Sequence, residues 1–222
     1  MQMQIKSLAI IVLIAFFFSC SSESTPTYKI YTEYGDIYIQ LYEETHKYKE
    51  NFTELADKGF YDSLLFHRIL PGMIIQGGDP TSRNAPKGKF LGQGDVDYTI
   101  PGDFRYVHTR GAISAARKPN SVNPDKKSSG SQFFIVLGND VNDGMLDKIE
   151  KDRNFEYSVE QRKLYKLIGG IPQFDKEYSV FGEVISGLDV VEKISQLRRD
   201  PNDRPVEDVI MKIEVANEGN IQ

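Results

Sequence analysis

The sequence predicts a mainly β domain, a closed antiparallel barrel capped by helices. Short β-rich runs recur along the chain, turns rich in Gly, Pro and Asn separate them, and two helical patterns stand far apart. Hydrophobic residues make up 40% of the 222 and charged residues 27%, which are ordinary values for a folded chain and argue against wholesale disorder. The length suits one domain with a full core, or at most two small ones.

The elements follow in order. Tyr28 to Tyr42 alternates around Gly35-Asp36, which reads as a hairpin with its turn at that pair. Thr45 to Lys58 has a helical stripe of Phe52, Leu55 and Ala56, with Thr45 placed to cap it and Gly59 to stop it. Leu64 to Leu70 and Met73 to Gln76 are apolar strands split by Pro71-Gly72. Thr81 to Asp97 is a polar, glycine-bearing loop. Gly111 to Ala116, Gln132 to Leu137, Ser179 to Ile185 and Val209 to Val215 are further strands, and Leu188 to Leu197 is an amphipathic helix. Asn139 to Pro172 breaks this pattern and reads as an insertion. Its helix, Ser158 to Ile168, opens with the capping-box spelling S-V-E-Q and ends at Gly169-Gly170. A helix this short is not stable alone in water, so it is predicted to dock on the barrel.

The first residues read as an address. Lys6 precedes an apolar run from Leu8 to Phe18, too short to span a bilayer but suited to a signal peptide. Ser19 stands directly before Cys20, the one cysteine of the chain. The pattern resembles a bacterial lipobox, which implies cleavage after residue 19, lipid on Cys20 and a polar tether over residues 20–27. The expected location is the bacterial cell envelope, with the periplasmic face and the outer membrane both left open by the C-S-S-E spelling. A net charge of −5 argues against nucleic acid as the main partner. A single cysteine excludes an intrachain disulfide and a cysteine-rich zinc site, and the three histidines make no metal-binding spacing. Asp79, Asp95, Asp97 and Asp103 lack the spacing of a calcium loop and read as solvated acidic surface. No metal or cofactor is expected.

Four motifs then carry a resemblance. F-H-R-I-L-P-G-M-I-I-Q-G-G-D (66–79), R-G-A-I-S-A-A-R (110–117), S-S-G-S-Q-F-F-I (128–135) and F-D-K-E-Y-S-V-F-G-E-V (174–184) stand in the order found in cyclophilins. T-I-P-G-D-F with H-T-R-G-A is similar to the short bacterial branch. The resemblance covers residues 28–217 and leaves 218–222 as a tail. It implies an eight-stranded antiparallel barrel with a helix at each end, and peptidyl-prolyl cis-trans isomerase activity on proline-containing polypeptide clients by a monomer.

Residue by residue, the resemblance makes Arg68 the donor to the proline nitrogen and Gln76 the group that binds substrate backbone and orients the arginine. Phe134 and Phe174 match positions that wall the proline ring. Met73 stands where the family usually has Phe, and Tyr178 where many members have His. Ala116 and Gln132 match positions touching the substrate backbone, and Arg117 replaces an Asn whose backbone makes the usual contact. Gln173 stands where cyclosporin-sensitive members carry Trp, so weak inhibition is implied. His67 beside Arg68 invites a general-base role, but the reaction needs no base and successive strand residues face opposite ways. The departures at Met73 and Tyr178 keep a rival in play, a non-catalytic chaperone or assembly subunit that holds proline segments on the same barrel. The insertion, whose two ends flank the proline pocket, is expected to dock beside the site, where it reads first as a peripheral decoration, with extension of the substrate groove as the alternative.

Overall fold

The computed structural model describes residues 27–216, so Cys20, the leader, most of the tether and the terminal tail lie outside the described residues. The chain opens with the antiparallel hairpin β1 (Thr27–Thr32) and β2 (Gly35–Leu41). Its turn is Glu33-Tyr34, two residues earlier than the expected Gly35-Asp36, because Thr32 and Gly35 form the closing pair. The Thr32 hydroxyl sets that turn. It donates to Gly35 O at 2.7 Å and accepts from the Tyr34 N–H at 3.1 Å.

Helix α1 (His46–Asp57) buries Tyr48, Phe52, Leu55 and Ala56. Thr45 precedes it without capping it, since its hydroxyl donates to Tyr42 O at 2.9 Å and no side-chain cap bond forms. Gly59 takes the left-handed conformation just past the helix end, as expected. The expected strand Leu64 to Leu70 is two strands, β3 (Leu64–Leu65) and β4 (Arg68–Leu70), parted by Phe66 and His67. There follow β5 (Ile74–Gly77), β6 (Thr99–Ile100), β7 (Ala112–Ala115), β8 (Ser128–Ser129) and β9 (Phe133–Val136). After the insertion come β10 (Ser179–Ser186), α4 (Leu188–Ser195) and β11 (Ile210–Val215).

Nine of these strands form one curled antiparallel sheet in the order β3-β11-β1-β2-β10-β7-β9-β5-β4, and β6 and β8 pair separately. The main sheet therefore has nine strands where eight were expected, because the chain breaks at Phe66-His67. Its two edge strands, β3 and β4, are consecutive in the chain. Helices α1 and α4 pack on the main core, where Phe52 meets Tyr28 at 5.5 Å and Phe133 at 5.8 Å edge-on, and Val191 and Ile194 are fully buried.

The insertion holds two helices, α2 (Asp143–Arg153) and α3 (Val159–Ile168), so the described residues contain four α-helices rather than three. The capping box at Ser158 forms as spelled, with Gln161 as its partner. Both helices dock, burying Val141, Leu146, Ile149, Tyr157 and Tyr165 in a cluster of their own against Val107. Gly138 and Gly170 meet at the neck. A Cβ on Gly138 would lie 2.3 Å from the Gly170 carbonyl carbon, and both residues have positive φ.

Candidate active site

Strand alternation builds the site. Ile69, Ile75, Ile135 and Ile113 are register partners across β4, β5, β9 and β7, and all four are fully buried in the main core. The neighbouring row must face the other way. It reads Arg68, Gln76, Phe134 and Ser114 across the same four strands. A second apolar cluster of Ile74, Ala116, Phe134, Ile171 and Val180 lies on that outer face, with Phe174 and Tyr178 packed on it.

A cavity of about 360 Å³ opens there, lined by Arg68, Gln76, Ala116, Phe134, Phe174 and Tyr178 among others. Phe134, Phe174 and Tyr178 meet edge to face at centroid distances of 5.0–5.6 Å and make one aromatic wall. Gln132 lines an adjoining cavity of about 130 Å³ that shares Gln76 and Ala116. It links the two sides by accepting from Gln76 Nε2 at 3.1 Å and donating to Gly92 O at 3.2 Å and to Gly94 O. Met73 is not brought into the cavity. It sits in the turn before β5 with 37% of its surface exposed, and Ile74 lines the cavity instead. Gln173 is exposed and does not line the cavity.

Arg68 keeps 41% of its side chain exposed. Its Nε lies 3.6 Å from Asp203 Oδ2, and Asp203 O accepts the Ile69 N–H at 2.8 Å. Asp203 also meets Arg199 at 3.2 Å. The 199–204 loop thus holds the inner nitrogen of the guanidinium and leaves its two outer amino groups for a ligand. Nothing in the local sequence marked Asp203, or Arg204 beside it. Arg204 is buried, pairs with Asp208 and donates to the carbonyls of Ala85, Pro86 and Lys89, which tethers the loop whose Phe90 and Leu91 form the cavity's opposite lip.

His67 faces this cavity and not the opposite side, because it lies in the break between β3 and β4 where alternation does not apply. Neither ring nitrogen has a hydrogen-bond partner within the protein. Burial pushes its pKa down to about 4 against the opposing pull of Asp79, so the ring is neutral near pH 7. Asp79 fixes the lip. Burial opposes its charge, but bonds from the Thr81 hydroxyl, the Gly92 N–H and the Thr81 N–H hold its carboxyl below the usual range. Among the described residues no group of three or more His, Cys, Asp or Glu side chains is placed to hold a metal ion.

A curled antiparallel sheet thus carries an arginine–glutamine pair beside an open cavity with an aromatic wall. The comparisons give the family. The sequence pattern of the cyclophilin-type peptidyl-prolyl cis-trans isomerases matches residues 27–215, and the chain belongs to that family. A Staphylococcus saprophyticus protein named "Putative peptidyl-prolyl cis-trans isomerase" is 33% identical over 189 residues, covering 84% of this chain and 90% of its own. A Staphylococcus aureus protein of the same name is 32% identical over 184 residues, covering 82% and 87%. Among solved structures, a Cryptosporidium parvum cyclophilin-type isomerase superposes with a TM-score of 0.61 at 25% identity, over 87% of this chain and 98% of its own. The same parasite protein, crystallised in the presence of the dipeptide Ala-Pro, superposes with a TM-score of 0.59 at 25% identity, over 86% and 99%.

The Arg68–Asp203 contact yields a prediction. Asp203→Asn keeps the backbone bond to Ile69 and removes the charge beside Nε. Exposed pairs of this kind contribute up to about 1 kcal/mol, so kcat/KM on an X-Pro tetrapeptide is expected to fall by about two- to fivefold with little change in Tm. Unchanged kinetics would show that Arg68 is oriented without Asp203.

Proposed function

We propose that this protein accelerates cis–trans isomerisation of X-Pro bonds in proteins of the bacterial cell envelope, held there by lipid on Cys20. The observation that carries the catalytic part is the single row of Arg68, Gln76 and Phe134 at the mouth of the aromatic cavity.

The chemistry requires no nucleophile and no proton transfer. The barrier of about 18–20 kcal/mol comes from C–N double-bond character. At the twisted transition state that resonance is lost, and the proline nitrogen becomes pyramidal and able to accept a hydrogen bond. The ring sits against Phe134, Phe174 and Tyr178, away from water. Gln76, fixed by Gln132, holds the backbone of the substrate. An outer amino group of Arg68 donates to the nitrogen when its lone pair appears, an interaction stronger in the transition state than in the planar ground state. Each 1.36 kcal/mol of such differential binding is worth about tenfold in rate. Proline-containing polypeptides fit as clients, in line with the parasite relative crystallised in the presence of Ala-Pro.

Arg68→Ala is expected to lower kcat/KM by about tenfold to a thousandfold with the fold intact, because it removes a donor used mainly in the transition state. Arg68→Lys restores charge but not the planar fork and is expected to recover only part of the loss. A protease-coupled assay on a form starting at Ser21 measures both, and an undiminished rate in Arg68→Ala rules the mechanism out.

The anchoring reading rests on the apolar run ending at Ser19-Cys20. Two or three acyl chains hold a protein stably on a membrane where one does not. Cys20→Ser is expected to abolish labelling by a radioactive fatty acid and to shift the protein out of the detergent phase. Equal label in both forms would refute the anchor.

A further inference from the structure

The loop that carries two walls of the cavity is held from behind by the insertion. Asp175 lies between Phe174 and Tyr178 in the chain, and its side chain is only 2% exposed. Four groups donate to its carboxylate. The His108 N–H and ring Nδ1 reach Oδ1 at 2.8 and 2.7 Å, and the hydroxyls of Tyr157 and Tyr165 reach Oδ2 at 2.6 Å each. Both tyrosines belong to the insertion, one just before α3 and one within it. Burial, then the Asp175 charge, raises both phenols well above their ordinary range, so they stay neutral donors.

The network continues to the cavity. The fully buried His108 ring stacks on Phe134 at 6.2 Å and meets Phe174 edge-on at 5.8 Å. Its Nε2 lies 3.0 Å from Ser114 Oγ, which donates to Ser179 O at 3.0 Å. A second tie runs from α2. Arg153 donates to Gln173 O at 2.8 Å and to the Glu177 carboxylate. Glu177 also pairs with Arg117, whose guanidinium carbon lies 5.0 Å from the Tyr178 ring centroid. The insertion therefore grips the segment 173–177 at three places, while no residue of α2 or α3 lines the cavity.

We propose that Tyr157 and Tyr165 are positioning residues for X-Pro binding. Through the buried Asp175 carboxylate they fix the pose of Phe174 and Tyr178, so the insertion braces the proline pocket from behind instead of extending its groove. This rests on the reading of the cavity as the proline site. A buried carboxylate stripped of these donors must find other partners, and the loop that carries it must move to do so. Arg68 lies on a different strand and keeps its place, so the defect falls on binding.

Tyr157→Phe/Tyr165→Phe keeps both rings and removes only the two hydroxyls. The proposal predicts KM for an Ala-Pro tetrapeptide raised by about five- to twentyfold, with kcat retained within about twofold. NMR titration of the same peptide is expected to give a matching loss of affinity. The control is Lys166→Ala, which breaks an exposed ion pair between α3 and Asp143 of α2 and bonds neither to the Asp175 network nor to the pocket loop. It is expected to lower Tm and leave KM unchanged. Should the double variant not fold, the single substitutions, each leaving one hydroxyl on Asp175, are read in the same way. A folded tyrosine variant with wild-type KM and affinity overturns the proposal, as does an equal rise in KM in Lys166→Ala. A wild type that binds the peptide without isomerising it counts against the catalytic reading alone, and the affinities still decide the role of the tyrosines.

Discussion

The period of two along β4, β5, β9 and β7 governs the whole site. Four isoleucines in one register row fill the core, and burying them forces the adjacent row outward. Arg68 and Gln76 face solvent because Ile69 and Ile75 cannot. A one-residue slip of β4 or β5 would send the Arg68 or Gln76 side chain into the hydrophobic core and take a donor from the cavity. The same pairing sets Phe134 between Gln76 and Ser114, so the ring that walls the cavity also covers the buried His108. The geometry of the cavity and the packing of the core are consequences of one register.

What surrounds that row divides into a rigid floor and held loops. The floor is sheet. The walls are the 90–93 lip, tethered by Asp79, Gln132 and Arg204, the 199–204 loop beside Arg68, and the 173–178 segment. Burial alone would raise the Glu177 carboxyl, but Lys126, Arg153 and Arg117 together hold it below the ordinary range, which keeps it charged and the segment tied on its outer side. Asp175 ties the inner side. Loops and turns carry most of the cavity lining, yet each is pinned by charged or multiply bonded groups, so the aromatic wall is preorganised before a peptide arrives.

Local patterns were legible in the sequence where a local rule decides them. The hairpin, α1, α4, the capping box at Ser158 and the strands β5 and β9 all follow from periodicity and end signals within a few residues. The motif positions Arg68, Gln76, Ala116, Phe134, Phe174 and Tyr178 came from the family resemblance, and they converge on one cavity. Failures came where a competing contact decides. The first turn fell at Glu33-Tyr34 because a Thr32 hydroxyl organised it, and Met73 stayed in the turn while Ile74 entered the pocket. Helix α2 was missed because only Leu146 and Ile149 of its eleven residues are buried, too few to print a stripe. Asp203 and the Tyr157–Tyr165–Asp175 contacts join residues whose partners are set by the tertiary fold, and no spacing rule encodes them.

The central claim is that the site works by hydrogen-bond donation and desolvation, with no proton transferred. The most direct test is kcat/KM for an X-Pro tetrapeptide across pH in light and heavy water. His67, the one histidine on the cavity, has its pKa pushed down to about 4 and does not change charge near neutrality. The account predicts a flat profile between about pH 6 and pH 8 and a solvent isotope effect of about 1. A bell-shaped profile in that window, or an isotope effect of about 2 or more, would contradict it.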